Sequence, residues 1–123
     1  MPLSILLDEN LRGGAIWNAV ELHQATGEYP LDVVRVGDAN GPAAGIDDAE
    51  LLEWAAVHAR ILISLDKTTL PQFLLERVRT GDSSPGLILL HETLSAGEIL
   101  QILLLISYGS TAPDWANTYQ WIP

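Results

Sequence analysis

Four short apolar runs along the chain predict buried strands. They are Ser4 to Leu7, Asp32 to Val36, Ile61 to Leu65 and Leu87 to Leu90. Runs of this length, rich in Ile, Val and Leu, are typical of parallel strands covered on both faces. Between and after them, apolar positions at helical spacing predict helices over Leu11 to Thr26, Asp47 to Arg60, Pro71 to Arg79 and Ile99 to Ser107.

This alternation of strands and helices predicts an α/β fold: a parallel four-stranded sheet with helices on both faces and right-handed crossovers. We expect the strand order 2-1-3-4, in which strands one and three are neighbours. Asp8 follows the first strand and Asp66 follows the third. Because the carboxyl ends of parallel strands share one edge, both carboxylates should face the same crevice.

Local signals predict where helices and loops begin. Asp47 with Glu50, and Ser95 with Glu98, have the spacing of a capping box at a helix start. The segment from Gly37 to Gly45 holds three glycines and a proline, which predicts a loop. We expect this loop to be a mobile flap over the crevice.

Length and composition predict one domain. The chain has 123 residues, 48% of them hydrophobic, which suffices for one core. We therefore expect a single domain over residues 1–123, with residues 109–123 forming an aromatic tail. The absence of cysteine, of a basic N-terminal segment and of a membrane-length apolar run favours a cytoplasmic protein without membrane contact.

The formal net charge of −10, with Lys67 as the only lysine, argues against a protein that coats nucleic acid. It does not argue against a nuclease, because a bound metal ion can supply the positive charge that meets a phosphate. Asp48, at the start of the second helix, is expected to join Asp8 and Asp66. Three such carboxylates repel one another unless one is protonated or a cation lies between them, and they suit Mg²⁺ or Mn²⁺.

Four segments resemble the small PIN-like proteins of bacteria in collinear order. They are Leu6-Leu7-Asp8-Glu9-Asn10-Leu11, Asp48-Ala49-Glu50-Leu51-Leu52, Ile61-Leu62-Ile63-Ser64-Leu65-Asp66 and Pro85-Gly86-Leu87-Ile88-Leu89-Leu90. PIN domains are α/β folds whose acids bind Mg²⁺ or Mn²⁺ to cleave RNA, and many are toxins inhibited by an antitoxin protein. The resemblance thus implies that Asp8, Asp48 and Asp66 are the catalytic, metal-binding acids of a ribonuclease with an antitoxin partner.

The chain departs from that family after the third strand. The family commonly has Asp-x-Asp-Phe there, whereas this chain has Asp66-Lys67-Thr68-Thr69, so Thr68 replaces an acid and Lys67 adds a positive charge. Glu92, just past the fourth strand, is the candidate for the lost ligand. Asn10 is expected to stabilise the turn after the first strand through backbone hydrogen bonds.

Other interpretations remain open. Asp8 and Asp66 could be ordinary helix caps, and the chain could be a catalytically inactive PIN-like module that binds a protein. A receiver-like phosphoacceptor domain is a further alternative, although it needs a fifth strand followed by a lysine, and neither is predicted. The helix from Ile99 to Ser107 is apolar nearly all round, and together with the aromatic tail it predicts a homodimer.

Overall fold

The fold was analysed in a computed structural model that describes residues 2–122. Its five strands form one parallel sheet in the order β2-β1-β3-β4-β5. The strands are β1 (Ser4–Leu7), β2 (Asp32–Arg35), β3 (Ile61–Ser64), β4 (Leu87–Leu90) and β5 (Tyr119–Ile122). The helices are a 3-10 helix (Glu9–Leu11), α1 (Gly14–Ala25), α2 (Asp48–Val57), α3 (Thr69–Arg79), α4 (Ala96–Gly109) and α5 (Ala112–Trp115).

The α/β class and the order of the first four strands are confirmed. The predicted count of four strands is not confirmed, because the segment expected to be an aromatic tail contains α5 and a fifth strand. β5 pairs with β4 in parallel, Leu87 opposite Tyr119 and Leu90 opposite Ile122. The expectation that a fifth strand is absent was therefore wrong.

Alternating side chains of the buried strands supply two hydrophobic cores, one on each face of the sheet. On the first face, Ile5, Leu7 and Ile63 pack with residues of α1 and α4, among them Val20 and Leu103. On the second face, a different set packs with residues of α2 and α3: Leu6, Leu62, Leu87, Leu89, Leu52 and Leu74. Both faces of the sheet are covered, as the continuous apolar runs predicted.

Helix starts depend on caps, and these explain where the predicted bounds were wrong. α1 begins at Gly14 rather than Leu11, because Leu11 closes the 3-10 helix that Asp8 caps. α3 begins at Thr69, two residues before Pro71, because the Asp66 carboxylate accepts hydrogen bonds from the first free N–H groups.

The remaining bounds differ for equally local reasons. α2 ends at Val57 rather than Arg60, since Ala59 has a left-handed φ of 52° that a helix cannot continue through. α4 extends over Ala96–Gly109 because the capping box of Ser95 and Glu98 forms as predicted. β2 and β3 each end one residue earlier than expected. Within residues 2–122, no helix is both long and apolar enough to cross a membrane.

Candidate acidic site at the carboxyl edge of the sheet

Asp8 and Asp66 lie at the carboxyl ends of two neighbouring strands. β1 and β3 pair in parallel with Leu7 opposite Ile63, and the Asp8 N–H donates to the Ile63 carbonyl at 2.9 Å. This is the point where the chain reverses its direction of winding, since β2 lies on one side of β1 and β3 on the other. The predicted placement of these two acids at one edge follows directly from that topology.

Ser64 is the residue that connects them. Its side chain is fully buried, and its hydroxyl donates to Asp8 Oδ2 at 2.7 Å. The Ser64 hydroxyl oxygen in turn accepts from the Asp66 N–H at 3.0 Å and from Asn10 Nδ2 at 3.2 Å. Sequence reasoning missed Ser64, although one polar residue inside the apolar run from Ile61 to Leu65 was a usable signal.

Asn10 has a wider role than the predicted one within its own turn. Its Oδ1 accepts from the Leu65 N–H at 3.3 Å while its Nδ2 donates to Ser64. Both partners belong to the end of β3 rather than to the turn after β1. Asn10 therefore fixes the distance between the segments that follow the two central strands.

Asp8 is the carboxylate whose ionised form this arrangement disfavours. Burial raises its pKa above the ordinary value of 3.8, and hydrogen bonds from Ser64 and from the Glu9 N–H work in the opposite direction. The negative charges of Asp48 and Asp66 raise the pKa further. The two other predicted acids thus act electrostatically on Asp8 at this edge.

Asp66 behaves differently. Burial disfavours its ionised form, but hydrogen bonds from the Thr69 hydroxyl and from the Thr68 and Thr69 N–H groups outweigh that effect and lower its pKa. The two N–H donors lie 3.0 and 3.1 Å from Oδ1, and the Thr69 hydroxyl donates to Oδ2. We expected repulsion among the three carboxylates to disfavour the ionised form of each. For Asp66, hydrogen bonds from threonine donors decide the direction of the pKa shift instead.

Thr68 stands where the resemblance leads us to expect a second acid. Its hydroxyl lies 3.3 Å from Asp66 Oδ1 and its N–H donates to the same oxygen. The residue thus supplies donors to the neighbouring carboxylate instead of a further negative charge. The capping interpretation is confirmed for Asp8, which is the N-cap of the 3-10 helix. The N-cap of α3 is Thr68, and Asp66, two residues before it, accepts from the Thr68 and Thr69 N–H groups.

The other two predicted ligands are held less firmly. Asp48 is the first residue of α2, partly buried, directly after the N-cap Asp47, whose carboxylate accepts from the Glu50 N–H at 2.9 Å. Glu92 is exposed and follows β4 by two residues. Within residues 2–122, no group of three or more His, Cys, Asp or Glu side chains is placed to hold a metal ion.

The donor chemistry of Asp8, Asp48 and Asp66 fits a hard divalent cation, because such ions prefer carboxylate oxygens. The side-chain positions do not fit it equally well, since the oxygens of Asp66 are already hydrogen-bonded to the start of α3. A coordination shell would require Asp66 to exchange threonine donors for the ion. The three residues therefore have the oxygen ligands that such a cation prefers, but their side chains are not arranged to coordinate it.

The loop after β2, expected to be a mobile flap, is bonded at both ends. Asp38 accepts from Arg12 and Arg35, each at 2.9 Å, and these bonds outweigh the effect of burial and lower its pKa. At the far end, the Gly45 N–H donates to Glu9 at 2.5 Å. The loop is thereby tied to the segment that follows Asp8.

Positive charge near the acids comes from Lys67. Every arginine forms a salt bridge: Arg12 and Arg35 with Asp38, Arg60 with Asp32, Arg77 with Glu53 and Arg79 with Glu76. No carboxylate among residues 2–122 pairs with Lys67 in this way; its ammonium lies 5.2 Å from the centre of the Trp121 ring. Lys67 thus follows Asp66 in the sequence, but its ammonium is directed toward Trp121.

A cavity of about 490 Å³ lies at the opposite, amino edge of the strands, and no carboxylate lines it. Its walls are Leu3, Ser4, Ala56, Ala59, Ile61, Ser83, Ser84, Pro85, Ala112, Pro113 and Ala116. Its mostly apolar lining suits a small apolar group.

No protein-family model matches the chain, and no match was found among curated proteins or solved structures.

Proposed function

We propose that this chain is a small PIN-type ribonuclease whose Asp8, Asp48 and Asp66 bind Mg²⁺ or Mn²⁺ at the carboxyl edge of the sheet. The observation that carries the proposal is the placement of Asp8 and Asp66 at the carboxyl ends of the paired strands β1 and β3, where burial first, and then the charges of Asp48 and Asp66, raise the pKa of Asp8. A bound cation most strongly stabilises carboxylates that are partly buried and repel one another. The absence of a preformed three-ligand group makes us expect weak metal binding and slow turnover.

The residues around the acids have separate roles in this proposal. Ser64 and Asn10 hold the ends of β1 and β3 together, so Asp8 keeps one orientation. Lys67 is a compact cation next to Asp66, suited to an incoming phosphate of an RNA strand. A bound divalent ion would supply polarisation of a phosphoryl oxygen and a more acidic water molecule.

The biological setting follows from the resemblance. A cytoplasmic toxin, held inactive by an antitoxin protein encoded beside it, is the role that many small PIN proteins have. The receiver-like alternative gains the fifth strand, because the order 2-1-3-4-5 is also that of flavodoxin-like folds. It is weaker on chemistry, because hydrogen bonds already engage both oxygens of Asp66.

The test is a titration with Mn²⁺ or Mg²⁺ followed by thermal unfolding and by cleavage of single-stranded RNA. An ion that binds only the folded state at a hundred times its Kd should stabilise the wild type by about 2.7 kcal/mol. Asp8→Asn keeps the size and the capping oxygen but removes the carboxylate that feels both neighbours, so it should abolish the metal response and any cleavage. Asp66→Asn should act in the same direction.

Asp82→Asn is the matched control, because Asp82 is exposed, follows α3, and lies outside the predicted acidic trio. It should keep the full metal response. A wild type whose unfolding curve is the same with and without the ion, and which leaves RNA intact, would contradict the nuclease proposal.

That negative result would favour a second candidate, a catalytically inactive PIN-like module that binds a protein. A specific observation supports it: Thr68 and Thr69 engage the carboxylate of Asp66 where the family has a further acid. In such a module, the acidic edge would serve the stability of the fold alone. Copurification with the product of a neighbouring gene, unaffected by Asp8→Asn, is the result we expect in that case.

A further inference from the structure

β5 is an edge strand with a free backbone. It pairs only with β4, and the Thr118 carbonyl accepts from the Leu87 N–H at 3.0 Å. Backbone groups alternate in direction along a strand, so those of Gln120 and Ile122 also point toward β4. The N–H and C=O groups of Tyr119 and Trp121 therefore point outward, away from the sheet, as a template for another strand.

Large apolar side chains border this edge on both faces of the sheet. Tyr119 and Trp121, 37% and 49% exposed, share the face of Leu87 and Leu89. On the other face, Leu105 of α4 is 68% exposed. It borders a shallow groove of about 240 Å³ whose lining residues are Ile102, Leu105, Ile106, Gly109, Ser110, Trp115 and Ile122.

Charge is nearly absent from this part of the molecule. Between residues 99 and 122 the only charged residue is Asp114, although the whole chain carries a formal net charge of −10. Two copies of so acidic a protein repel through most of their surfaces. They can approach closely only where negative charge is sparse, and at this edge the positive ammonium of Lys67 lies 5.2 Å from the centre of the Trp121 ring.

We propose that β5 pairs in antiparallel fashion with β5 of a second copy, across a two-fold axis at Gln120. The two five-stranded sheets then form one continuous sheet. In this register, the outward backbone groups of Tyr119 meet those of the second copy's Trp121, and the two aromatic rings form a cross-strand pair on one face. The same axis brings Leu105 toward its counterpart on the other face.

The size of the contact sets the expected affinity. The exposed parts of these side chains together with the edge backbone amount to roughly 400 Å² per copy. A standard stable interface buries about 800 Å² per partner. We therefore expect a dimer that dissociates in the micromolar range and that becomes tighter as salt screens the repulsion between the two acidic copies.

Sedimentation equilibrium from low micromolar to several hundred micromolar concentration tests the proposal. The wild type should shift from a mass of 13.4 kDa to twice that value. Leu105→Glu and Trp121→Glu each place two like charges near the axis, and each should weaken association at least about tenfold. Leu22→Glu is the matched control, because Leu22 on α1 is 73% exposed and lies in a different helix.

Amide hydrogen exchange gives a second measurement, which uses only the wild type and so does not depend on whether a variant folds. The Tyr119 and Trp121 amides have no partner within the sheet of one chain, so dilution should accelerate their exchange, whereas the amides of Gln120 and Ile122 should be unaffected. A wild type that stays monomeric at several hundred micromolar would overturn the proposal. So would a dimer that tolerates both glutamates, or one whose Tyr119 and Trp121 amides exchange equally fast at all concentrations.

Discussion

Two of the buried serines of this fold, Ser64 and Ser107, should respond in opposite directions to the same substitution. Ser64 and Ser107 are 0% and 2% exposed, respectively. The Ser64 hydroxyl donates to Asp8 and accepts from the Asp66 N–H and from Asn10. The Ser107 hydroxyl on α4 has no hydrogen-bond partner among the described residues 2–122. Serine to alanine thus removes a network in one case and an unsatisfied group in the other.

The magnitudes follow from these contacts. Ser64→Ala loses a charge-assisted hydrogen bond worth about 1.5–3 kcal/mol and leaves the Asp66 N–H with one partner fewer, about 1 kcal/mol more. We expect the free energy of unfolding to fall by about 2–4 kcal/mol. Ser107→Ala removes a buried, unsatisfied hydroxyl whose desolvation costs about 1–3 kcal/mol, and alanine also favours the helix. We expect the free energy of unfolding to rise by about 1 kcal/mol.

Urea denaturation followed by tryptophan fluorescence is the assay, with calorimetry as a check. The slope m should stay constant while the midpoint moves, because neither change alters the surface exposed on unfolding. For a chain of this size, each kcal/mol should move Tm by roughly 3–5 °C. At a pH low enough to protonate Asp8, the charge-assisted part disappears and the deficit of Ser64→Ala should shrink. Midpoints that move in the same direction for both variants would refute the role assigned to Ser64.

Two further predictions concern Asp8 and Gly86. The folded-state pKa of Asp8 is raised above 3.8, so its contribution to stability is present below that value and is lost as pH rises through the folded pKa; Asp8→Asn should therefore be more stable than the wild type at neutral pH. Thermal melts from pH 3 to 8 should show that advantage vanish on acidification, and an advantage that grows on acidification would contradict the assignment. Gly86→Ala should cost about 2–4 kcal/mol in urea denaturation, because φ is +124° and a Cβ would lie 2.6 Å from the Trp115 carbonyl oxygen. Gly81→Ala, with φ of +95° and no atom within 4 Å, should cost only the strain of about 1–2 kcal/mol; equal losses for the two variants would mean that the Trp115 contact is unimportant.

The sequence by itself determined the features that depend on neighbours along the chain. The four apolar runs predicted β1 to β4, and the spacing of Ser95 and Glu98 predicted a cap that forms as expected. The order of those strands followed from general rules for alternating strands and helices, and with it the common edge for Asp8 and Asp66. These features are local or topological, so they needed no knowledge of which side chains meet.

Only the tertiary structure decided the rest. β5 has four residues with an exposed pattern, and its place in the sheet depends on β4, roughly thirty positions earlier in the chain, so no periodicity identified it. Ser64 acquired its role because β1 brings Asp8 against β3, a contact between residues 56 positions apart. The contrast between Asp8 and Asp66 has the same origin: burial and neighbouring charges act on one, threonine donors on the other, and these surroundings exist only in the folded chain.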